Sequence, residues 1–214
     1  MNKKILLTGF EPFGGESINP AWEIARSLDG ESIAGARLVA HCLPCEFGTA
    51  LESLRAALAQ HRPSLVLALG QAAGRASLSL ERVAINVDDA RIPDNAGRQP
   101  IDEPVLAGAP AAYFSTLPLK AMVAGLREAG FPSEVSQTAG TFVCNHVFFG
   151  LQHQLSGQGV RSGFMHVPLL PEQASHMPNQ PSMSLPTMVA GVRLALQLAL
   201  CTGADLRQTG GSLN

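Results

Sequence analysis

Charged side chains are scarce in this sequence, and the positive ones are never clustered. Asp, Glu, Lys and Arg make up 15% of the 214 residues, and the formal net charge is −2. The longest basic run is Lys3-Lys4. Because nucleic-acid binding needs a dense patch of Lys and Arg, we expect no nucleic-acid partner. The low charged share also predicts a rather apolar surface, part of which serves self-association.

Long hydrophobic runs are also missing. Lys3-Lys4 is followed by only three apolar residues, which is too short for a signal peptide. The apolar stretch over residues 188–201 contains Arg193 and Gln197, so it predicts a packed helix and not a membrane span. We therefore expect a cytoplasmic protein without a membrane partner, whose four cysteines are reduced.

Motifs that bind phosphate or activate a serine are absent. The glycine-rich segment Gly9-Phe-Glu-Pro-Phe-Gly-Gly15 has neither the Gly-Lys-Ser/Thr of a P-loop nor the G-x-G-x-x-G of a dinucleotide fold. We interpret it as a shaped loop that carries Phe10 and Phe13. No G-x-S-x-G occurs, so a serine hydrolase is not supported. Nothing indicates a metal site, and no cofactor is expected.

Short apolar runs alternate with segments of helical period, which predicts an α/β fold with a mostly parallel sheet covered on both faces. Without a repeat or an interdomain linker, residues 1–214 are expected to form one domain with a polar, frayed tail from about residue 203. The predicted strands cover residues 4–10, 36–43, 64–69, 133–138 and 163–167, and the predicted helices cover residues 20–28, 46–60, 119–129, 142 onward and 186–201. From Val83 onward, residues 77–88 alternate as in a strand with one buried face. Residues 91–104, rich in Pro, Gly, Asp and Asn, predict a long loop, and such loops are usually functional or disordered.

Cys144 lies in Gly140-Thr-Phe-Val-Cys-Asn-His146, immediately before an apolar run, which is typical of a loop-to-helix junction. A helix N-terminus presents free N–H groups and positive partial charge, and both favour thiolate over thiol. Cys144 is therefore a candidate nucleophile, expected to have a lowered pKa and to alkylate faster than the other cysteines. The alternative is a small buried hydrophobe, which is what most free cysteines are.

A cysteine nucleophile needs a base and usually a group that orients the base. His166 is the best placed of the six histidines, because it ends a predicted strand, where open α/β sheets bind ligands. His146 is only two residues from Cys144, so on a shared helix it points elsewhere. Glu81 is the candidate orienter, since a carboxylate on an apolar strand is costly to bury unpaired.

Less specific interpretations of these residues stay open. Spacing alone favours a salt bridge between Glu81 and Arg82 or Arg75, and a satisfied core histidine explains His166 equally well. Cys42-Leu-Pro-Cys45 is a C-x-x-C between a predicted strand and a predicted helix, which is the placement of a thioredoxin-like redox motif.

Several short segments of the sequence identify a family more specifically when taken together, in their order along the chain, than any one of them does alone. The segments are Thr8-Gly-Phe-Glu-Pro-Phe-Gly14, Gly70-Gln-Ala-Ala-Gly-Arg75, Glu81-Arg-Val-Ala-Ile-Asn86, Asp94-Asn95, Gln99-Pro-Ile-Asp-Glu-Pro104, Gly140-Thr-Phe-Val-Cys-Asn145, His166-Val-Pro168 and Leu170-Pro-Glu-Gln173. In this order, and over nearly the whole chain, they resemble the pyroglutamyl peptidase I (pyrrolidone carboxyl peptidase) family. The resemblance is weak after Cys201.

The resemblance implies a cytosolic cysteine exopeptidase that removes an N-terminal pyroglutamyl (5-oxoprolyl) residue from peptides. It implies Cys144 as the nucleophile that forms a thioester acyl-enzyme, His166 as general base and then acid, and Glu81 as the orienter. It also implies an α/β/α sandwich assembled as a homotetramer. A non-catalytic protein that binds capped peptides on the same fold is the alternative, and the intact catalytic set argues against it.

Pyroglutamate is a small neutral lactam without a free amine, so its pocket should be apolar with a few backbone partners. The residues that can supply the pocket walls are Phe10, Phe13, Ile92, Phe142 and Val143. Gln71 resembles the family position whose main chain contacts the lactam. The developing oxyanion needs preorganised donors, and the resemblance implies the Cys144 N–H and Arg91.

Overall fold

The computed structural model describes residues 3–211. The strands are β1 Lys4–Phe10, β2 Ser32–Ile33, β3 Ala36–Leu43, β4 Leu65–Gln71, β5 Leu78–Glu81, β6 Val83–Ile85, β7 Ala112–Phe114, β8 Ser133–Ser136 and β9 Arg161–Val167, and the helices are α1 Pro20–Leu28, α2 Thr49–His61, α3 Leu119–Glu128, α4 Val143–Leu155, α5 Pro171–Ala174 and α6 Leu185–Cys201.

Seven strands form one sheet in the order β2-β3-β1-β4-β9-β5-β8. β1, β3, β4 and β9 are parallel, whereas β2 is antiparallel to β3, and β5 is antiparallel to β9. One core cluster joins one face of the sheet to α1, α3 and α6, and a second cluster joins the other face to α2 and α4. The predicted α/β/α sandwich with a mostly parallel, mixed sheet is confirmed.

The turn between β1 and α1 shows how local sequence sets this architecture. Asn19 caps α1, since its side chain accepts a hydrogen bond from the Ala21 N–H at 3.0 Å, and Pro20 occupies the first helical position. At Gly9, an added β-carbon would lie 2.5 Å from the backbone nitrogen of Trp22. Glycine therefore allows α1 to pack directly on the end of β1.

The segment over residues 77–88 contains the strand predicted from Val83 onward and a second strand that was not predicted. The strand that enters the main sheet is β5, which is buried at all four positions, and not the stretch from Val83 onward. That stretch forms β6, which pairs with β7 in a separate two-stranded sheet. In β6 only Ala84 is buried, which is the alternation that was predicted from Val83 onward. The strand β5 was not predicted, because it lies between β9 and β8 with both faces covered, which removes the alternation expected of a half-buried strand.

The start of α2 also differs from its prediction. The helix begins at Thr49, three residues later than residue 46. Gly48 precedes it with a φ of 80°, a left-handed conformation that glycine adopts readily and that a helix interior excludes. The segment over residues 45–48 is therefore an irregular connection whose backbone groups need other partners.

The described part of the C-terminal tail makes hydrogen bonds to the rest of the domain, and the frayed tail from about residue 203 stays a prediction. The Asp205 carboxylate accepts hydrogen bonds from the first-turn N–H groups of α3, at 2.9 Å from Ala121. The Gly210 carbonyl accepts one from Arg82 at 2.8 Å. These contacts satisfy helix N–H groups that lack intrahelical partners, which stabilises the segment. The rest of the predicted tail, residues 212–214, lies outside the described residues.

The most apolar helix, α6, packs into the core as predicted, through buried residues that include Met188 and Val192. Across residues 3–211, no helix combines the length and apolar character that crossing a bilayer requires.

Candidate active site

Two strand pairings place the predicted base and its orienter on one face of the sheet. β9 pairs in parallel with β4, so that His166 lies beside Gly70. It pairs antiparallel with β5, so that Glu81 lies beside Phe164. Alternate residues of a strand share a face, and Phe164 belongs to the cluster packed against α2 and α4. Glu81 and His166 therefore project into the layer that contains α4.

Glu81, His166 and Arg75 form one hydrogen-bonded set. Glu81 is fully buried, and its Oε1 accepts hydrogen bonds from His166 Nδ1 at 2.8 Å and from Arg75 Nη1 at 2.7 Å. Arg75 Nη2 also donates to the Thr138 carbonyl at 3.0 Å, which fixes the guanidinium plane. The contact with His166 and the alternative salt bridge with Arg75 thus occur together, on one oxygen atom, while Arg82 donates to the C-terminal segment.

The tautomer of His166 follows from this geometry. Because a carboxylate only accepts, Nδ1 carries the ring proton and Nε2 is unprotonated in the neutral ring. Burial lowers the pKa of His166; the hydrogen bond and charge of Glu81 oppose this effect, and the charge of Arg75 adds to it. At neutral pH, His166 is therefore a neutral imidazole whose Nε2 can take a proton.

Cys144 is the second residue of α4, so it lies at a helix start as predicted. Its thiol reaches back to the sheet: a β-carbon added to Gly70 would lie 2.7 Å from Cys144 Sγ. Gly70 lies on β4 and is paired with His166 of β9, so the thiol lies against β4 beside the residue that pairs with His166, in space that is open because position 70 has no side chain. The Cys144 N–H belongs to the first turn, where N–H groups have no intrahelical acceptor.

The expectation that the helix start lowers the pKa of Cys144 is wrong. Burial raises the pKa of this thiol, Cys45 and Glu81 raise it further, and only Arg75 lowers it. Desolvation penalises the thiolate more than the first turn of α4 and the nearby guanidinium stabilise it. The resting nucleophile is therefore a neutral thiol, which needs a base to become reactive.

Four of the predicted wall residues belong to the same apolar cluster, between the sheet and α2 and α4. Phe13 and Phe142 pack with ring centroids 6.0 Å apart, and we call these two rings the aromatic wall. Val143 is buried directly after Phe142 at the start of α4. Phe10 lies further towards the sheet, with its ring centroid 6.5 Å from that of Phe164.

The fifth wall residue and the second oxyanion donor lie on the loop over residues 91–104, which is irregular as predicted. Ile92 is 41% exposed. Arg91 and Ile92 line a cavity of about 320 Å³ together with Asp89 and Phe142. The structure thus brings Arg91 to the outer side of the aromatic wall, and its role as an oxyanion donor stays a prediction.

Gln71 ends β4, and a buried glutamine holds its side chain. Gln173 Nε2 donates to Gln71 Oε1 at 3.1 Å, and Gln173 Oε1 accepts from the Leu170 N–H at 3.0 Å. The backbone of the turn is fixed as well, because the Ala72 N–H donates to the Val167 carbonyl at 3.0 Å. The main chain at Gln71 is therefore rigid, as a lactam-binding backbone would need to be.

Sequence reasoning missed a second imidazole–carboxylate pair. His146 points away from Cys144, as predicted, but its Nδ1 lies 2.8 Å from Asp88 Oδ2, and its Nε2 accepts from the Gly48 N–H at 3.0 Å. Both side chains are buried. The available signal was a histidine on the predicted nucleophile helix; the partners lie 58 and 98 positions away in sequence, beyond any local pattern.

The remaining thiols do not support redox chemistry. Burial raises the pKa of Cys42 to about 11 and that of Cys45 to about 12. A reactive dithiol needs one thiol of low pKa, so the redox alternative is disfavoured. Within residues 3–211, no three His, Cys, Asp or Glu side chains are grouped to hold a metal ion.

Comparison with known proteins identifies the family of this arrangement. A family model described as "Pyroglutamyl peptidase" matches residues 3–202. The chain is 61% identical over 212 residues to a pyrrolidone-carboxylate peptidase of Chromobacterium violaceum, a match that covers 99% of this chain and all of the relative. It is 60% identical over 210 residues to the Erwinia tasmaniensis protein of the same name, covering 98% of this chain and 99% of that relative.

Solved structures agree with this assignment. The crystal structure of pyroglutamyl peptidase I from Bacillus amyloliquefaciens superposes with a TM-score of 0.94 at 43% identity, over 98% of this chain and 100% of that one. Pyrrolidone carboxyl peptidase from Thermococcus litoralis superposes with a TM-score of 0.89 at 40% identity, over 92% and 93% of the two chains. The protein therefore belongs to the pyroglutamyl peptidase family.

Proposed function

We propose that this chain is a cysteine exopeptidase that removes an N-terminal pyroglutamyl residue from peptides, with Cys144 as nucleophile, His166 as base and Glu81 as orienter. The observation that carries the proposal is the arrangement around β4 and β9: Glu81 accepts a hydrogen bond from His166 Nδ1 at 2.8 Å and so fixes its tautomer, and the missing side chain of Gly70, the β4 residue paired with His166, makes room for Cys144 Sγ. Family membership over residues 3–202 supports the reaction class.

The geometry supports a general-base mechanism. His166 Nε2 takes the thiol proton of Cys144 as sulfur attacks the pyroglutamyl carbonyl, and Glu81 stabilises the imidazolium that forms. The oxyanion accepts a hydrogen bond from the Cys144 N–H, and Arg91 is the second proposed donor. The imidazolium then protonates the leaving amine, which leaves a thioester. His166 next deprotonates water for attack on the thioester; the C–S bond breaks, the imidazolium returns its proton to Cys144 Sγ, and free pyroglutamate departs.

The proposed lactam pocket is apolar, which matches a neutral substrate ring. Its walls are Phe10, Phe13, Ile92, Phe142 and Val143, and the main chain at Gln71 is its polar partner. Because these walls are apolar, they favour a neutral lactam over the ammonium group of an ordinary peptide N-terminus, whose charge is costly to bury; Asp89, which lines the cavity beside Ile92 and Phe142, is exposed to solvent.

Release of a fluorophore from pyroglutamyl-aminomethylcoumarin tests the proposed function. We expect the wild-type protein to cleave this substrate under reducing conditions with a chelator present. Prolyl-aminomethylcoumarin is the matched control: it has the same five-membered ring with an ammonium group in place of the lactam amide, and we expect no cleavage. Failure of the folded wild-type protein to release the fluorophore would overturn the proposal.

Replacing Glu81 with Gln is expected to lower kcat by roughly tenfold to several hundredfold and to leave KM nearly unchanged. Glutamine keeps an acceptor for His166 Nδ1 but loses the charge that stabilises the imidazolium. Burial places the His166 pKa below its ordinary value, and Glu81 partly offsets that effect. The acidic limb that reports protonation of His166 should thus lie below the pH range of an ordinary histidine in the wild type, and at still lower pH in Glu81→Gln.

The pH profile of kcat/KM, measured for both proteins with the same fluorogenic substrate, checks this prediction. A variant whose acidic limb moves to higher pH, or whose only change is a raised KM, would show that Glu81 does not act through the base.

We also propose that residues 1–214 form a single peptidase domain, that the enzyme assembles as a homotetramer and that it acts in the cytoplasm. Exposed apolar side chains support assembly: Ile101 is 71% and Phe114 is 69% exposed. Four free thiols support a reducing compartment. Light scattering on the purified protein tests the assembly, since a tetramer has four times the 22.5 kDa chain mass and a monomer would contradict it. Cell fractionation tests the location.

A further inference from the structure

Phe47 lies behind the aromatic wall, although it belongs to the irregular segment before α2. Its side chain is only 4% exposed. Its ring meets that of Phe142 edge-to-face, with centroids 5.4 Å apart and an interplanar angle of 89°. Phe142 in turn packs on Phe13. Because aromatic rings at these distances move together, the position of Phe47 sets the position of the wall.

Two buried acceptors hold the backbone of Phe47 and the next residue. The Phe47 N–H donates to Asp94 Oδ2 at 2.8 Å, and the Gly48 N–H donates to His146 Nε2 at 3.0 Å. Asp94 Oδ1 also accepts from two N–H groups of its own loop. Neither N–H has an acceptor in a helix or strand, so without these side chains both would be buried or half-buried and unpaired.

Asp88 fixes His146 in the tautomer that this contact requires. The Asp88 carboxylate accepts from Nδ1 at 2.8 Å, so Nε2 is unprotonated and accepts from the Gly48 N–H. The His146 ring also packs edge-to-face on Phe47, with centroids 5.3 Å apart. With both ring nitrogens occupied, His146 cannot take a proton from Cys144, which separates its role from that of His166.

The same imidazole connects the nucleophile helix to the segment before α2. His146 lies two residues after Cys144 on α4. Its partner Asp88 is itself anchored by paired backbone hydrogen bonds with Glu103, at 2.7 and 3.0 Å. One buried side chain thus fixes the helix that carries the thiol, the loop that carries Arg91, and the segment that supports the aromatic wall.

We propose that His146, oriented by Asp88, is a positioning residue for substrate binding: it holds Phe47 in place and, through Phe47, the Phe142 face on which the lactam ring packs. The inference rests on the proposed function, because it concerns the pocket of that same site. A residue that shapes the pocket but does not touch the reacting atoms changes the affinity for the ring more than the rate of the chemical step.

Three variants test the proposal. His146→Leu keeps a similar volume but removes both hydrogen bonds, and Phe47→Leu keeps the backbone contacts but removes the ring. Both are expected to raise KM for pyroglutamyl-aminomethylcoumarin by about tenfold, with kcat within about threefold of the wild-type value. His146→Gln retains an amide oxygen that can accept from the Gly48 N–H, so it should restore most of the loss.

Binding of 2-pyrrolidinone, the lactam ring alone, separates pocket shape from chemistry. Its inhibition constant is expected to rise by the same factor as KM in His146→Leu and Phe47→Leu. The matched control is Phe149→Leu, which truncates a buried phenylalanine of α4 that packs on Tyr113. This control should lower the melting temperature as the test variants do and leave the inhibition constant unchanged.

Unchanged lactam inhibition in Phe47→Leu, with wild-type activity present, would overturn the inference even if His146→Leu failed to fold. A fall in kcat at constant KM would also overturn it, because it would place His146 in the chemical step. A wild-type protein that neither cleaves the substrate nor binds 2-pyrrolidinone would instead overturn the proposed function.

Discussion

Replacing Cys144 with Ala is expected to lower kcat/KM for pyroglutamyl-aminomethylcoumarin by roughly four to six orders of magnitude. Alanine removes the only atom that can form the thioester, and His166 then has no group to activate. Only the weak catalysis supplied by binding and the oxyanion donors remains. The fold should persist, with the melting temperature within a few degrees of the wild-type value, because one small half-buried side chain is truncated.

Two companion variants make the result specific to the sulfur. Cys144→Ser keeps the shape and offers an oxygen, but a hydroxyl is far less acidic than a thiol, so we expect it to be nearly as inactive as Cys144→Ala. Cys201→Ala removes the exposed thiol at the end of α6 and should leave activity unchanged. Thiol-dependent cleavage that survived in Cys144→Ala would exclude this residue as the nucleophile.

The proposed catalytic set could be assembled from the sequence because its chemistry is unusual for the positions that its members occupy. His166 ends a strand at the edge where parallel sheets bind ligands, and Glu81 is a carboxylate in an apolar segment. A cysteine nucleophile needs a base and a group that orients the base, and these two residues are the best candidates for the two roles. What the sequence did not decide was whether Glu81 pairs with the histidine or with Arg75, because a carboxylate oxygen can accept from both, and here it does.

The parts that escaped prediction depend on tertiary packing. The antiparallel register of β5 against β9 leaves no local signal, and its burial on both faces removes the alternation that would have marked it. The pKa of Cys144 depends on desolvation by the assembled core, which the helix-start argument omits. The contact between Asp88 and His146 joins residues 58 positions apart. In contrast, β1 and β3 have the bounds that were predicted, and in β1 the reason is local, since every residue after Lys4 is buried and most of them are apolar.

Gly70 has a role that neither its own chemistry nor its φ angle reveals, since its backbone conformation is one that alanine also adopts. A methyl group there would lie 2.7 Å from Cys144 Sγ and 2.8 Å from the Phe164 ring, closer than real contacts allow. The ring is fixed between Phe10 and Phe148, so the thiol is the group that moves. Because Gly70 is paired with His166, a displacement of the sulfur at this position changes its placement relative to the proposed base.

Gly70→Ala is therefore expected to lower kcat by about a hundredfold, which is the cost of displacing a reacting atom by about 1 Å. KM should change little, since the pocket walls are untouched. Overpacking should also lower the free energy of unfolding by about 1–3 kcal/mol. Steady-state kinetics per folded molecule and thermal unfolding measure the two effects separately.

Gly163→Ala is the control that decides what the Gly70 result means. Gly163 lies on β9, close to His166 in sequence, and a β-carbon there would lie 2.5 Å from Leu117 Cδ1, in the core cluster on the opposite face of the sheet. Its steric strain is similar, but none of it falls on the thiol. If only Gly70→Ala loses kcat while both variants lose stability, the space beside the nucleophile controls catalysis. If both lose kcat equally, strain transmitted through β4 and β9 explains the loss, and the assigned position of the Cys144 thiol against Gly70 would have to be abandoned.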